Sequence, residues 1–200
     1  MKVVKILLGI IVAVVVVLFI GSFFISSNFR VSDTQTVKAS PEAVYNQLIT
    51  AKEWKNWSYW ASLDPNMTTT YSGPESGVGS AYSWKSDKKE LGSGTSTITE
   101  VTPNAYVKVG LEFEGQGGGI AEYILKPAEG GGTEVTSAFN SETKNFMEKW
   151  MSRLMGKPMM KKAFKSTMDS LDKYVAEHPA PAPSPVAVDS ATATTPEATK

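Results

Sequence analysis

The chain predicts an α+β protein: an antiparallel sheet followed by a long C-terminal amphipathic helix, the whole carried behind one membrane-length N-terminal helix. Three observations predict it. Ile6 to Ile25 form an uncharged apolar run of twenty residues. From Met67 to Asn140, short stretches of alternating polarity are separated by Gly, Pro and Asn turns. Met160, Phe164, Thr167, Met168, Leu171 and Val175 then recur at helical spacing.

At about 1.5 Å per residue the apolar run matches a hydrocarbon core of about 30 Å, so residues 6–25 are read as a transmembrane helix. Lys2 and Lys5 precede it, and no acidic residue occurs before Asp33. Positive charge on that flank favours a cytoplasmic N-terminus, residues 1–5, and a domain on the outer, periplasmic or extracellular, side of the cell membrane. Arg30 and Lys38 weaken the bias. The alternative is a cleaved signal peptide; against it, the apolar stretch is too long and no A-x-A site follows, Ile25-Ser26-Ser27 being a poor one. Residues 26–30 read as a linker that reaches roughly 17 Å when extended, which keeps the domain close to the bilayer.

Residues 31–177 suit one domain. The chain carries 20 basic and 20 acidic residues, which gives no general pull towards nucleic acid. It has no cysteine, hence no disulfide, thiolate nucleophile or Cys-based metal site. Its one histidine, His178, lies at the start of a Pro/Ala/Thr-rich segment, residues 178–200, read as a disordered tail. A lone histidine there removes Ser-His-Asp chemistry and multi-histidine metal sites. No catalytic residue, metal or cofactor is therefore assigned.

Within the domain, Val31 to Lys38 reads as a first strand. Ser40-Pro41-Glu42 starts a helix with an N-cap hydroxyl, a first-turn proline and an early carboxylate. Thr50 to Glu53 has the form of a capping box opening a second short helix with Trp54, Trp57 and Trp60. Strands follow at Met67–Tyr71, Gly79–Lys85, with Tyr82 and Trp84 on one face, and Ser93–Val101. Ala105 to Glu114 is the clearest strand: Val107, Val109, Leu111 and Phe113 share one face, and Lys108, Glu112 and Glu114 take the other. Glu112 and Glu114 are paired carboxylates, but their face belongs to solvent. The glycine runs 117–119 and 130–132 lack the lysine spacing of a phosphate loop and read as hairpin turns. Phe146, Met147, Trp150, Met151, Leu154 and Met155 form a helix, Gly156-Lys157-Pro158 interrupts it, and the longer amphipathic helix runs on from there.

Five segments carry a family resemblance. They are VKASPEAVYNQLITAKEWKNWSYW (37–60), Gly77-Val78-Gly79 ahead of Trp84, and Ile98-x-Glu100-Val101-x-Pro103. With them go the Gly-Gly-Thr133-x-Val135-Thr136 strand start and GKPMMKKAFKSTMDSLDKYVAE (156–177). Together they resemble the START-like, polyketide cyclase/dehydrase and lipid-transport superfamily, also called SRPBCC. The resemblance covers almost all of residues 31–177; the apolar run lies outside it. It implies a helix-grip fold, a curved antiparallel sheet wrapped around the C-terminal helix with a cavity for an apolar or amphipathic ligand. It implies a fold strongly and a function poorly, because one fold hosts many functions.

The expected cavity wall comprises Trp57, Trp60, Tyr82, Trp84, Val109, Leu111, Phe113, Phe139, Met151, Met155, Met160 and Phe164. Six of the eight methionines (Met147, Met151, Met155, Met159, Met160, Met168) fall in the C-terminal helical region, and methionine suits surfaces that fit varied apolar shapes. The bland explanation is ordinary helix-to-sheet packing. Between Lys144 and Lys173 stand eight basic and three acidic residues, either a solvated face or a contact for anionic headgroups. Three functions stay open: a membrane-anchored module binding a hydrophobic or lipid-like ligand, a cyclase- or hydrolase-like enzyme, and an envelope partner-binding protein with a collapsed cavity. The last would be favoured by Trp84, Phe113 and Phe139 packing tightly across the interior.

Overall fold

Alternating polarity lays down seven strands: β1 (Asn28–Val37), β2 (Thr68–Ser72), β3 (Ala81–Lys85), β4 (Ser93–Thr102), β5 (Tyr106–Phe113), β6 (Gly117–Pro127) and β7 (Thr133–Glu142). In the computed structural model, which describes residues 2–115 and 117–178, they pair antiparallel throughout in the order β1-β7-β6-β5-β4-β3-β2. The expected tail from residue 179 on lies outside the described residues. The result is a curved open sheet gripping a C-terminal helix, as the resemblance implied.

Helices α2 (Pro41–Leu48), α3 (Trp54–Trp57) and α4 (Tyr59–Leu63) carry the chain from β1, at one edge of the sheet, to β2 at the other. Ser40 caps α2 as its sequence predicts, its hydroxyl accepting from the Ala43 N–H at 3.3 Å, with Pro41 in the first turn. The capping box at Thr50 does not form. Thr50 instead donates back to the Asn46 carbonyl at 2.9 Å, and Glu53 accepts from the Tyr174 hydroxyl at 2.8 Å. A short 3-10 turn (Ala51–Glu53) precedes α3, so the first-turn carboxylate is spent on tying this region to the C-terminal helix.

Three other expectations are corrected. The first strand begins at Asn28, inside the expected linker, because Phe29 and Val31 are both buried and draw the pairing out as far as Glu142. Gly117–Gly119 lie in β6 and not in the turn. Gly119 has to be glycine for packing reasons: a Cβ there would stand 2.5 Å from the Phe139 ring that lies across it. The C-terminal helix is not interrupted at Gly156-Lys157-Pro158. α5 (Phe146–Met151) runs into a π-turn (Ser152–Gly156) and on into α6 (Lys157–Glu177). The Lys157 N–H bonds to the Ser152 carbonyl five residues back, and this wider turn admits Pro158, which has no N–H and would crowd an α-helical carbonyl.

The N-terminal helix, α1 (Lys2–Ser22), is long and apolar enough to cross a membrane. Its last turn is docked on α5. The Trp150 indole N–H donates to the Leu18 carbonyl at 2.9 Å, and Phe146 meets Phe19 edge-on with centroids 5.7 Å apart. Lys149 reaches the Ser22 carbonyl at 3.3 Å, a cation at the negative end of a helix dipole.

Candidate ligand site on the concave face

Residues on the inner face of the sheet follow from the register. Val107, Val109, Leu111 and Phe113 of β5 align with Tyr123, Ala121, Gly119 and Gly117 of β6, and β6 continues the same rows into Ser137 and Phe139 of β7. These rows divide into two ends. One end carries Val37, Val135, Leu125, Tyr123 and Val107. It is roofed by α2, by Trp54 and Trp57, and by Met168, Leu171 and Val175 of α6, all buried. Trp57 is 2% exposed. The other end, where the β5–β6 hairpin turns and β1 begins, carries Leu111, Phe113, Trp84 and Phe139, all only half-buried.

The open end is built by aromatic side chains lying over glycines. Trp84 leans across Gly94, where a Cβ would come 2.5 Å from the indole, and meets Phe113 edge-on at 5.8 Å. Phe139 leans across Gly119 and approaches Phe29 at 6.3 Å. Met160 and Phe164 of α6 close over Phe29 and Val31, with Trp60 and Phe139 partly buried beside them. Of the expected cavity wall, then, Trp60, Phe139, Met160 and Phe164 come together in one cluster. Tyr82, Trp84 and Phe113 form an aromatic chain, Tyr82 meeting Trp84 at 5.7 Å. Val109 is fully buried core in one cluster with Trp57, and Leu111 packs partly buried against that cluster.

Met151 and Met155 are corrected. They are 48% and 62% exposed and line no interior, because the α5 face that packs on the protein carries Phe146, Lys149 and Trp150 instead. Met147, Met155 and Met159 share that outward stripe; only Met160 and Met168 of the six are buried.

The interior holds polar groups that sequence reasoning missed. Asp33 and Gln35 share the inner face of β1 with Val31 and Val37, are half-buried, and are joined by a 2.7 Å hydrogen bond from Gln35 Nε2 to Asp33 Oδ2. The signal was present: Val31 and Val37 are an even number of residues apart, so the positions between them at 33 and 35 face the same way. Ser137, beside Asp33 on one side and Tyr123 on the other, is buried with no hydrogen-bond partner for its hydroxyl, and the Trp57 indole N–H is likewise unpartnered. Burial pushes the Tyr82 hydroxyl up to about 12, and burial raises Tyr123 further still.

A cavity of about 20 Å³ lies between Trp54, Ser58, Ala61, Thr69, Tyr71 and Tyr82, room for about one water. The outer face carries a closed polar network: Glu122 accepts from Tyr106 and from Asn140, each at 2.8 Å, and Arg30 donates to Asn140 at 3.0 Å. Among the described residues no group of three or more His, Cys, Asp or Glu stands close enough to hold a metal ion. Glu112 and Glu114 are exposed.

Solved structures share this fold at low identity. A Staphylococcus aureus protein of unknown function superposes with a TM-score of 0.58 at 15% identity, covering 75% of this chain and 96% of its own. The KanY protein matches with a TM-score of 0.57 at 13% identity, over 76% of this chain and 99% of its own. A Chromobacterium violaceum protein matches with a TM-score of 0.53 at 12% identity, over 74% and 96%. No curated protein matches the chain. Residues 28–176, from the first residue of β1 almost to the end of α6, match the family described as polyketide cyclase / dehydrase and lipid transport, and the chain belongs to that family.

Proposed function

We propose that the chain is a membrane-anchored binding module for a hydrophobic or lipid-like ligand, received at the open end of the concave face. One observation carries this reading: the half-buried row Trp84, Phe113, Leu111 and Phe139 lies at the same end of the sheet at which β1 leaves α1 and β7 leads into α5. The open end thus adjoins the helix that is long enough to span a bilayer. A small site needs apolar walls and few polar groups, and unpartnered Ser137 supplies one deeper in. In this reading α1 is the single-pass anchor, its N-terminus is cytoplasmic, and the domain lies on the outer side. A cysteine introduced at Glu129 should then react with a membrane-impermeant thiol reagent in intact cells; protection until lysis would reverse the orientation.

The competing reading is an envelope partner-binding protein with a closed interior, and the 20 Å³ cavity together with the Trp84–Phe113 contact favours it. Native mass spectrometry of the full chain, released from membranes in detergent, separates the two. A reproducible extra mass that is lost on Leu111→Glu supports the binding module. A clean apo mass from membranes of native composition sinks it. An enzymatic role has less support, since the buried Ser137 hydroxyl has no base within hydrogen-bond reach.

A further inference from the structure

The start of the C-terminal helix presents an apolar stripe to the outside. Met147, Met151, Leu154, Met155 and Met159 are 57%, 48%, 68%, 62% and 50% exposed. On an unbroken α-helix, residues four apart drift about 40° per step, so Met147, Met151, Met155 and Met159 would wind away from one face. The π-turn over Ser152–Gly156 takes up extra chain within one turn and pulls that drift back. The four methionines therefore stay aligned, with Leu154 among them. A soluble domain has no evident use for this stripe, since contiguous exposed apolar surface marks an interaction site.

Its position says what it meets. Each of the first two methionines follows a residue that faces α1: Met147 follows Phe146, which packs on Phe19, and Met151 follows Trp150, which bonds to Leu18. Those contacts fall in the last turn of α1, whose 21 residues give about 31 Å, the thickness of a hydrocarbon core. α5 is thus held at the depth where the apolar core gives way to headgroups, the level at which tryptophan collects. Phe23 and Phe24, 73% and 88% exposed, lie at the same level. Exposed Lys161 and Lys162 follow the stripe, where the helix would leave the acyl region for headgroup phosphates.

We infer that the helix from Phe146 to Met159 is a second membrane contact, an interfacial element whose methionine and leucine stripe lies in the acyl boundary of the bilayer and holds the open end of the sheet against it. The inference rests on α1 being the anchor. The partner is a lipid surface: the stripe's flank is continuous with the end of a membrane-length helix.

The chain's freedom from cysteine makes the test direct. The full chain is reconstituted in vesicles of phosphatidylcholine and phosphatidylglycerol with a single nitroxide label at Met155→Cys, Val12→Cys or Glu129→Cys, and collision with oxygen is compared with collision with a water-soluble nickel chelate. All three side chains are exposed, so the labels spare the core. The expected result is oxygen access with loss of chelate access at positions 12 and 155, and full chelate access at 129. A label at 12 shielded from chelate while 155 stays fully open to it overturns the interfacial contact and leaves the anchor standing. Chelate access at 12 overturns the anchor reading and this inference with it. A second readout uses Met151→Glu with Met155→Glu. With the contact, the label at Leu154→Cys shifts from lipid to water in that background while the domain's thermal midpoint holds. An unchanged label overturns the proposal.

Discussion

The two ends of the concave face are made from the same kinds of residue and differ in what covers them. At the closed end, Val37, Val107, Leu125 and Val135 meet three layers of cover: α2, the Trp54–Trp57 pair with ring centroids 5.2 Å apart, and the second half of α6. At the open end, Trp84 meets Phe113, Phe139 meets Phe29 beside Met160 and Phe164 of early α6, and these two pairs leave Trp84, Phe113, Phe139 and Leu111 half-buried. The difference lies in the helix. Beyond Met160 the C-terminal helix turns its apolar stripe inward; before it, the face turned to the protein mixes Phe146 and Trp150 with Lys149, Arg153 and Lys157, and the methionines and Leu154 face out. Arg153 and Lys149 are engaged with the carbonyls of Asn28 and Ser22 at 3.4 and 3.3 Å. One helix thus serves as core over its second half and as an outward-facing element over its first. Stability should therefore reside at the closed end, and function at the open one.

The largest effect that tests this division comes from truncating one aromatic at each end. Trp57→Ala should cost about 3–5 kcal/mol, the range for emptying a filled aromatic site in a core. Phe113→Ala should cost about 1–2 kcal/mol, since much of its transfer free energy is absent already. Met155→Ala should stay within about 0.5 kcal/mol, as surface changes do. Urea unfolding of the three variants in detergent gives the ranking. Equal losses for Trp57→Ala and Phe113→Ala would mean that the open end is as much core as the closed one.

A smaller effect should appear at alkaline pH, from Tyr123 at the closed end and from Tyr82, which packs against that core and leads on to Trp84. Tyr82 and Tyr123 have hydroxyls raised above their usual value of 10.0 by burial, Tyr82 to about 12. A raised value means that the folded state holds the proton more tightly than the unfolded one. The stability this contributes is fully present below pH 10 and is lost as pH rises from there through the folded values. Tyrosinate absorbance and loss of near-ultraviolet dichroism should rise together in that window. Tyrosinate absorbance from Tyr82 and Tyr123 that titrates with a midpoint near the usual 10.0 while the dichroism stays intact would show that these hydroxyls are not buried as described.

Much of this architecture was legible in the sequence, because period-two alternation in β5 and helical spacing from Met160 to Val175 each reflect a single large burial surface. The grip followed from the family resemblance; the order of strands in the sheet came only from the structure. The open end was less legible. Helical spacing in Phe146 to Met155 shows that a stripe exists, but not which side it takes; Met151 and Met155 look like core by composition and lie outside because Phe146 and Trp150 engage α1, a contact with a segment more than a hundred residues away. The π-turn was hidden for a different reason: Gly156 and Pro158 are ordinary helix breakers, and only the width of the turn accommodates them. Asp33 and Gln35 could have been read from the parity of Val31 and Val37, but polar residues in a first strand pass for solvent-facing ones.

The finest effect separates architecture from use, and it lies where the two ends meet. Ser137 is buried on the inner face between Asp33 and Tyr123 with no partner for its hydroxyl. A buried hydroxyl without a partner costs about 1–3 kcal/mol, so an architecture selected for stability alone would gain from losing it. Ser137→Ala should then raise the unfolding free energy by about 1 kcal/mol. If the hydroxyl serves a ligand entering from the open end, the same change should weaken binding about tenfold, one net hydrogen bond. Stability and occupancy would move in opposite directions in one variant, read by urea unfolding and by the bound fraction in native mass spectra. A Ser137→Ala chain that gains stability and keeps its full bound mass would confine the ligand to the aromatic row and leave the buried hydroxyl without a role in binding.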